Sequence, residues 1–362
     1  MTEERKAEHL RICLTKDVQA KKVTTGFEDV HLLHKAIPEL SLNDVDTTIS
    51  FFGKKLKAPI IIEAMTGGAL EAAKINVNLA EAAEHFGLAM GVGSQRVAME
   101  TPRMESTFKV AREKGPNVFL IANLGLPQIL AENGIEEAQK AVEMIDADAL
   151  AIHLNILQEA IQHEGETDFH DALERLREVA SELSVPVIVK ETGAGMVSGD
   201  VRLLNGLGVE GIDVGGAGGT SWAAVEAYRD RGAVKHQLGI TFWDWGIPTA
   251  VSVVEAACST DLTVIASGGI RSGLDAAKAI SLGADAAGLA WPLLKPAVEG
   301  HLDYVLGVLI EEFRTSVFLT GARGVEDLKR RPVVVTGNTA EWLSLRGFRP
   351  EELARRGRKD DN

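Results

Sequence analysis

The chain has 362 residues, 45% hydrophobic and 25% charged, the balance of an ordinary soluble globular protein. A formal net charge of −14 argues against non-specific binding to nucleic acid or anionic membrane, and no apolar run is long enough to span a bilayer. The charged N-terminus is no signal peptide, and Cys13 and Cys258 lack metal-site spacing, so both read as reduced thiols of a cytoplasmic protein.

Residues 1–50 are polar, rich in Lys, Arg and His, and expected to lie outside the core. Eight apolar runs follow, at 58–63, 87–92, 117–123, 147–153, 185–190, 208–214, 262–266 and 286–290. Most are continuously apolar, as parallel strands covered on both faces are. Between them, 71–85 carries Ala72, Ile75, Leu79, Ala82 and Ala83 at helical spacing, and 135–145, 170–183 and 273–281 read similarly. Eight βα units in about 240 residues are the size of an α/β (β/α)8 TIM barrel, with a core at about 55–300 inside one domain, 1–362. A doubly wound open sheet is the alternative, but no G-x-G-x-x-G opens an early βα unit with an acid behind it. Residues 297–348 look helical at first, and 350–362 form a charged tail expected to fray.

The carboxyl ends of barrel strands are where such enzymes build active sites, and here most of them are polar or glycine-rich. Met65-Thr66-Gly67-Gly68 closes the first strand, Ser94-Gln95-Arg96 the second, and Asn123 the third. His153, Asn155, Gln158 and Glu159 follow the fourth, a set able to face one anionic, metal-bound ligand. Glu159 is the candidate metal residue, because a single carboxylate beside substrate phosphates is a usual way to hold Mg2+. His163 and His170 lack ligand spacing and read as surface residues. Lys190 ends the fifth strand, where a buried ammonium needs an anion; a flavin ring edge is one, and an internal pair with Glu191 or Glu159 is the other.

The sixth strand is followed by Gly215-Gly216-Ala217-Gly218-Gly219-Thr220-Ser221-Trp222, the seventh by Ser267-Gly268-Gly269-Ile270-Arg271, and the eighth by Ala290-Trp291. Glycine amides opening a helix with an arginine alongside form a phosphate site, and barrels frequently bind phosphate here. A tight turn with a surface arginine is the plainer reading. Arg5, Lys6 and His9 form a basic cluster, either a solvated end or a lid over a diphosphate.

Taken together, Arg5-Lys-Ala-Glu-His9, the rim motifs above and Trp245-Gly-Ile-Pro-Thr249 resemble the flavin-dependent type 2 isopentenyl-diphosphate isomerases across nearly the whole chain. The resemblance implies an FMN barrel that interconverts isopentenyl and dimethylallyl diphosphate, with FMN active when reduced, Mg2+, and NADPH as reductant. It implies flavin contacts at Met65, Thr66, Gly67, Ser94, Asn123, Lys190, Thr220, Gly269, Ile270, Arg271, Ala290 and Trp291. Substrate contacts carry over to Arg5, Lys6, His9, Ser94, Gln95, Arg96, His153, Asn155 and Gln158, and Mg2+ to Glu159. Gln158, Glu159, Lys190 and His153 are then the residues nearest the chemistry. The small-molecule diphosphate is the expected partner, and a homo-oligomer, tetramer or octamer, is expected.

Two rivals use the same fold. A 2-hydroxy acid oxidase or dehydrogenase needs a histidine base near the flavin and arginines for a carboxylate, yet 215–222 holds no histidine. A dehydrogenase with a cysteine nucleophile is disfavoured because neither cysteine falls on a rim loop. A non-catalytic flavin-binding protein would have no need of Arg5, Lys6, Gln158 or Glu159.

Overall fold

In a computed structural model that describes residues 2–229 and 232–357, eight parallel strands close into a barrel. They are β1 (Ile60–Ile62), β2 (Ala89–Gly91), β3 (Phe119–Gly125), β4 (Ala149–Leu154), β5 (Val187–Glu191), β6 (Gly211–Asp213), β7 (Thr263–Ser267) and β8 (Ala286–Leu289). Each pairs with its sequence neighbours and β8 returns to β1, with Gly288 opposite Ile61. The eight expected runs are the eight strands. Both faces are buried, which is why alternation is missing from their sequences. One layer of core lies inside the barrel, with Ile61, Ala89, Ile121, Ala151, Ile188 and Ile265. A larger one lies between strands and helices.

The barrel's amino end is shut by a hairpin that the sequence reading did not identify, at the join between the polar extension and the first strand. Ile49–Phe51 pairs antiparallel with Lys54–Leu56, and Phe51, Phe52 and Leu56 enter the inner core. Phe51 meets Phe119 edge-on at 5.1 Å, and a Cβ on Gly211 would fall 2.8 Å from the Phe52 ring. Lys54 anchors the turn on the carbonyl of Val118 and on Asp148.

Helix α1 (Thr2–Thr15) lies at the opposite end, against α2 (Trp222–Arg229) and α3 (Trp291–Glu299). Residues 18–20 then run beside the loop after β6, with the amide of Ala20 donating to Gly219 and that of Ser221 to Val18.

The C-terminal segment is helical at first, as expected, and does not stay so: Val333–Val335 pairs antiparallel with Val30–Leu32, joining the two ends of the chain. Nor does the tail fray from Pro350, because Pro350–Arg355 is a helix that buries Pro350 and Leu353; the last five positions, 358–362, lie outside the described residues. No helix among the described residues is long and apolar enough to cross a membrane.

Candidate active site

The carboxyl ends of the strands surround one cavity of about 1230 Å³, counting the space open at its mouth. All of the sequence-predicted site residues line it except Thr66, Gly67 and Gln95. Those three have their side-chain or backbone atoms engaged elsewhere. Gln95 is fully buried, donates to the Ala141 carbonyl and accepts from the Asn123 amide, so its side chain fixes the end of β3. Thr66 is buried and its carbonyl accepts from Gly93, while Gly67 packs under Phe108, whose ring lies 2.0 Å from where a Cβ would stand. Met65 and Ser94, their chain neighbours, face the cavity.

One wall is a cradle for an anion. Gly268 and Gly269 hold φ of 103° and 72°, and a Cβ on Gly219 would lie 2.4 Å from the Gly269 amide nitrogen. The amides of Gly269 and Ile270 find no acceptor among the described residues. Arg271 stands beside them over the Trp291 ring, 5.0 Å from its centroid, and donates to Gln19. No carboxylate ion-pairs with it among the described residues, and burial pushes its guanidinium down to about 10, so it lacks an anion. Ser272 caps the helix Gly273–Leu282 with Asp275, which aims the loop's amides inward. Orphan amides, a lone guanidinium and a contour that only glycine permits fit the FMN phosphate.

A second part of the lining is cationic. Arg96 is held by Glu100 at 2.9 Å and Glu166 at 3.0 Å, whereas Lys6 has no ion-pair partner among the described residues. Burial, with Arg5 and Arg96 alongside, pushes the Lys6 ammonium down to about 8. Burial and the charges of Lys6 and Lys190 push His153 down to about 3, so the ring is neutral. Its Nδ1 lies 2.7 Å from Asn123 Oδ1, which places the proton on Nδ1.

Below these cations, Glu159 accepts from Asn155 at 2.7 Å and from the Glu166 amide at 2.8 Å, and Asn155 Oδ1 is buried without a donor. No group of three acidic, histidine or cysteine side chains able to hold a metal exists among the described residues. What is present, one carboxylate and one orphan amide oxygen, fits an Mg2+ that takes its remaining ligands from water and phosphate.

Three acids at or beside the site, Glu226, Asp213 and Glu63, escaped the sequence reading. Glu226, 1% exposed, accepts from Gln158 at 2.8 Å and from Arg229 at 2.7 Å, and stands 3.0 Å from His9 Nε2. It ties α1 to Gln158, with Arg229 passing on to Glu164, which also meets Arg5 at 3.9 Å. The available signal was a glutamate on the apolar face of α2, among Ala223, Ala224 and Ala227. Asp213 and Glu63 are the others. Lys190 pairs with both, with Glu63 at 3.0 Å, and not with Glu159 or Glu191, the partners expected from sequence. Glu191 instead accepts from four successive amides, Thr192 to Gly195. Burial alone would lower the Lys190 ammonium, but Asp213 and Glu63 hold it above its usual range. Neither cysteine reaches the cavity, and burial pushes the Cys13 thiol up to about 12. His163 and His170 are exposed, as expected.

A closed barrel whose mouth combines a phosphate cradle, a buried lysine and a second anion site defines an FMN-dependent barrel flavoprotein. In agreement, the FMN-dependent dehydrogenase family model matches residues 2–141 and 120–335. The chain is 50% identical over 358 residues to the isopentenyl-diphosphate delta-isomerase of Methanothermobacter thermautotrophicus, covering 98% of this chain and 100% of that one. It is 48% identical to the enzyme of that name from Thermococcus kodakarensis, over 98% and 96% of the two chains. The chain belongs to the isopentenyl-diphosphate delta-isomerase family. Among solved structures, a protein described as a lactate oxidase of Pediococcus acidilactici aligns with a TM-score of 0.67 over 93% of both chains at 16% identity. A mandelate oxidase aligns with a TM-score of 0.61 over 92% of this chain and 97% of that one, at 19% identity. These likenesses show the fold.

Proposed function

We propose that this chain interconverts isopentenyl diphosphate and dimethylallyl diphosphate by a flavin-assisted 1,3-proton shift. The observation that carries the reading is a single cavity lined both by the glycine cradle with Arg271 and by the cations Arg5, Lys6 and Arg96, which we assign to the cofactor's phosphate and to a diphosphate.

Arg5, Lys6 and Arg96 hold the diphosphate. His153, uncharged in the free site, becomes a donor once that anion raises its proton affinity. Glu159 and Asn155 Oδ1 offer oxygen ligands to the Mg2+ that accompanies it. Gln158, oriented by Glu226, faces the space left for the hydrocarbon chain. Moving the double bond requires a proton added at one carbon and removed from another, through a site with few nucleophiles. Reduced FMN, when bound, supplies an electron-rich ring face and a nitrogen able to carry that proton. The chain orients the substrate and excludes water, with α1 as the cover.

NADPH as the physiological reductant, a cytoplasmic location and assembly into a tetramer or octamer belong to the same proposal. A 2-hydroxy acid oxidase is less well supported, because Arg271 is committed to the phosphate cradle and the loop after β6 has no histidine. The test is anaerobic assay of the FMN-loaded, reduced protein with Mg2+ and isopentenyl diphosphate, with the product read by proton NMR. Oxidation of a hydroxy acid without isomerisation would overturn the reading.

A further inference from the structure

Under the floor of the cavity, Glu63, Lys190 and Asp213 come together from β1, β5 and β6, and the proton shift described above leaves the two acids without a task. One ammonium faces two carboxylates, so the cluster is net negative when all three are ionised. The acids are unequal. Asp213 accepts from Lys190, from the Ser267 hydroxyl and from the Gly215 amide. Glu63 has one donor, Lys190, its carboxyl otherwise meets the Asp213 carboxyl, and one of its oxygens lies against Gly288, where a Cβ would fall 2.1 Å away. The charged groups facing Glu63 are Lys190 from β5 and Asp213 from β6; β8 contributes only that glycine. Burial and the Asp213 charge, opposed by Lys190, push Glu63 up to about 7. Glu63 and Lys190 line both the main cavity and a smaller one of about 300 Å³ inside the barrel. They therefore sit between the cofactor's space and the apolar interior.

We propose that Glu63 takes up a proton when the flavin held above it is reduced, its neutralisation balancing the negative charge that the ring gains beside Lys190. The inference rests on the FMN reading given above. Two electrons and one proton convert FMN to its reduced form with one negative ring charge, and a second proton, from solvent, enters the Glu63 carboxylate. The electrons come from a hydride donor or, in the test, from an electrode. Lys190 does not titrate in this range, because its two carboxylates hold it charged. Asp213 already accepts from three donors, Lys190, the Ser267 hydroxyl and the Gly215 amide, which leaves Glu63 the less solvated of the two acids.

Below pH about 7, Glu63 already carries its proton before reduction, and above it the uptake is complete. The midpoint potential of the holoenzyme is therefore expected to fall about twice as steeply with pH above 7 in the wild type as in Glu63→Gln, by spectroelectrochemical titration. The reduced-minus-oxidised infrared spectrum of the wild type should gain a protonated carboxyl band that Glu63→Gln lacks. A one-proton slope above pH 7 in the wild type, or a two-proton slope kept by the variant, overturns the inference. If the variant does not fold, the wild-type slope and carboxyl band decide: their presence supports it and their absence overturns it. A protein that retains no FMN removes this inference together with the FMN reading; a yellow protein with a one-proton slope removes this inference alone.

Discussion

Lys190→Met tests whether the buried cluster at the cavity floor is held by charge. The substitution keeps the length of the side chain but leaves Glu63 and Asp213 facing each other, with Asp213 reduced to the Ser267 hydroxyl and the Gly215 amide and Glu63 left with no donor but a shared proton with Asp213. Removing one partner of a buried ion pair costs about 3–5 kcal/mol. With an unfolding entropy of about 2.1 cal/mol/K per residue over 362 residues, this lowers Tm by about 4–7 °C at pH 8. The sign with pH follows from the carboxylates. The Glu63 carboxyl, already raised by burial and Asp213, loses the Lys190 charge that opposed the rise, so its protonated form favours folding below the unfolded value. That advantage is lost as pH rises through the folded value, which for Glu63 is already about 7 in the wild type. The loss should at least halve at pH 5.5, and Lys190→Met/Glu63→Gln should recover much of it at pH 8 by leaving one carboxylate. The assay is thermal unfolding at both pH values, at fixed FMN concentration because ligand shifts Tm. A loss below about 1 kcal/mol at pH 8, or an equal loss at both pH values, refutes the charge argument.

Arg271→Met should weaken FMN binding by about 10- to 100-fold, the worth of a charge-assisted hydrogen bond to phosphate, in fluorescence titration of apoprotein. Glu159→Gln should lose Mg2+-dependent turnover while retaining FMN, and turnover unchanged across an Mg2+ titration would detach Glu159 from the metal. The kcat/KM for isopentenyl diphosphate should fall as pH rises through about 8, where Lys6 loses its charge in the free enzyme, and Lys6→Met should abolish that limb. Glu226→Gln should speed amide exchange in α1 and lower kcat/KM, since it loosens both His9 and Gln158. An exchange profile identical to wild type would show that Glu226 does not tether the helix.

The barrel was legible because most of its strands are short, nearly continuous apolar runs, and burial on both faces leaves that mark in any order of residues. The closing hairpin was not, since Lys54 and Lys55 interrupt Phe51, Phe52 and Leu56 and make three-residue strands look like polar extension. The pairing of Val30–Leu32 with Val333–Val335 joins segments about 300 residues apart, beyond any local pattern. At the rim, the motifs were readable but the side-chain directions were not. Ser94 and Arg96 point into the cavity while Gln95 between them points into the protein, and nothing in the tripeptide distinguishes them. Glu63, Asp213 and Glu226 were missed for a different reason. Each stands in an apolar stretch where the pattern reads core, and a charge in such a stretch is itself the signal of a buried partner.

The aromatic hairpin beneath β3 and β6 gives the barrel a dead end. Everything that enters or leaves must use the side covered by α1, and cofactor and diphosphate share that doorway. If flavin takes the β7 and β8 loops and substrate the residues of α1, as proposed, flavin is expected to settle first and substrate to arrive last and depart first. A bound diphosphate is thus a stopper, and exchange of FMN into the assembled enzyme should slow as substrate concentration rises.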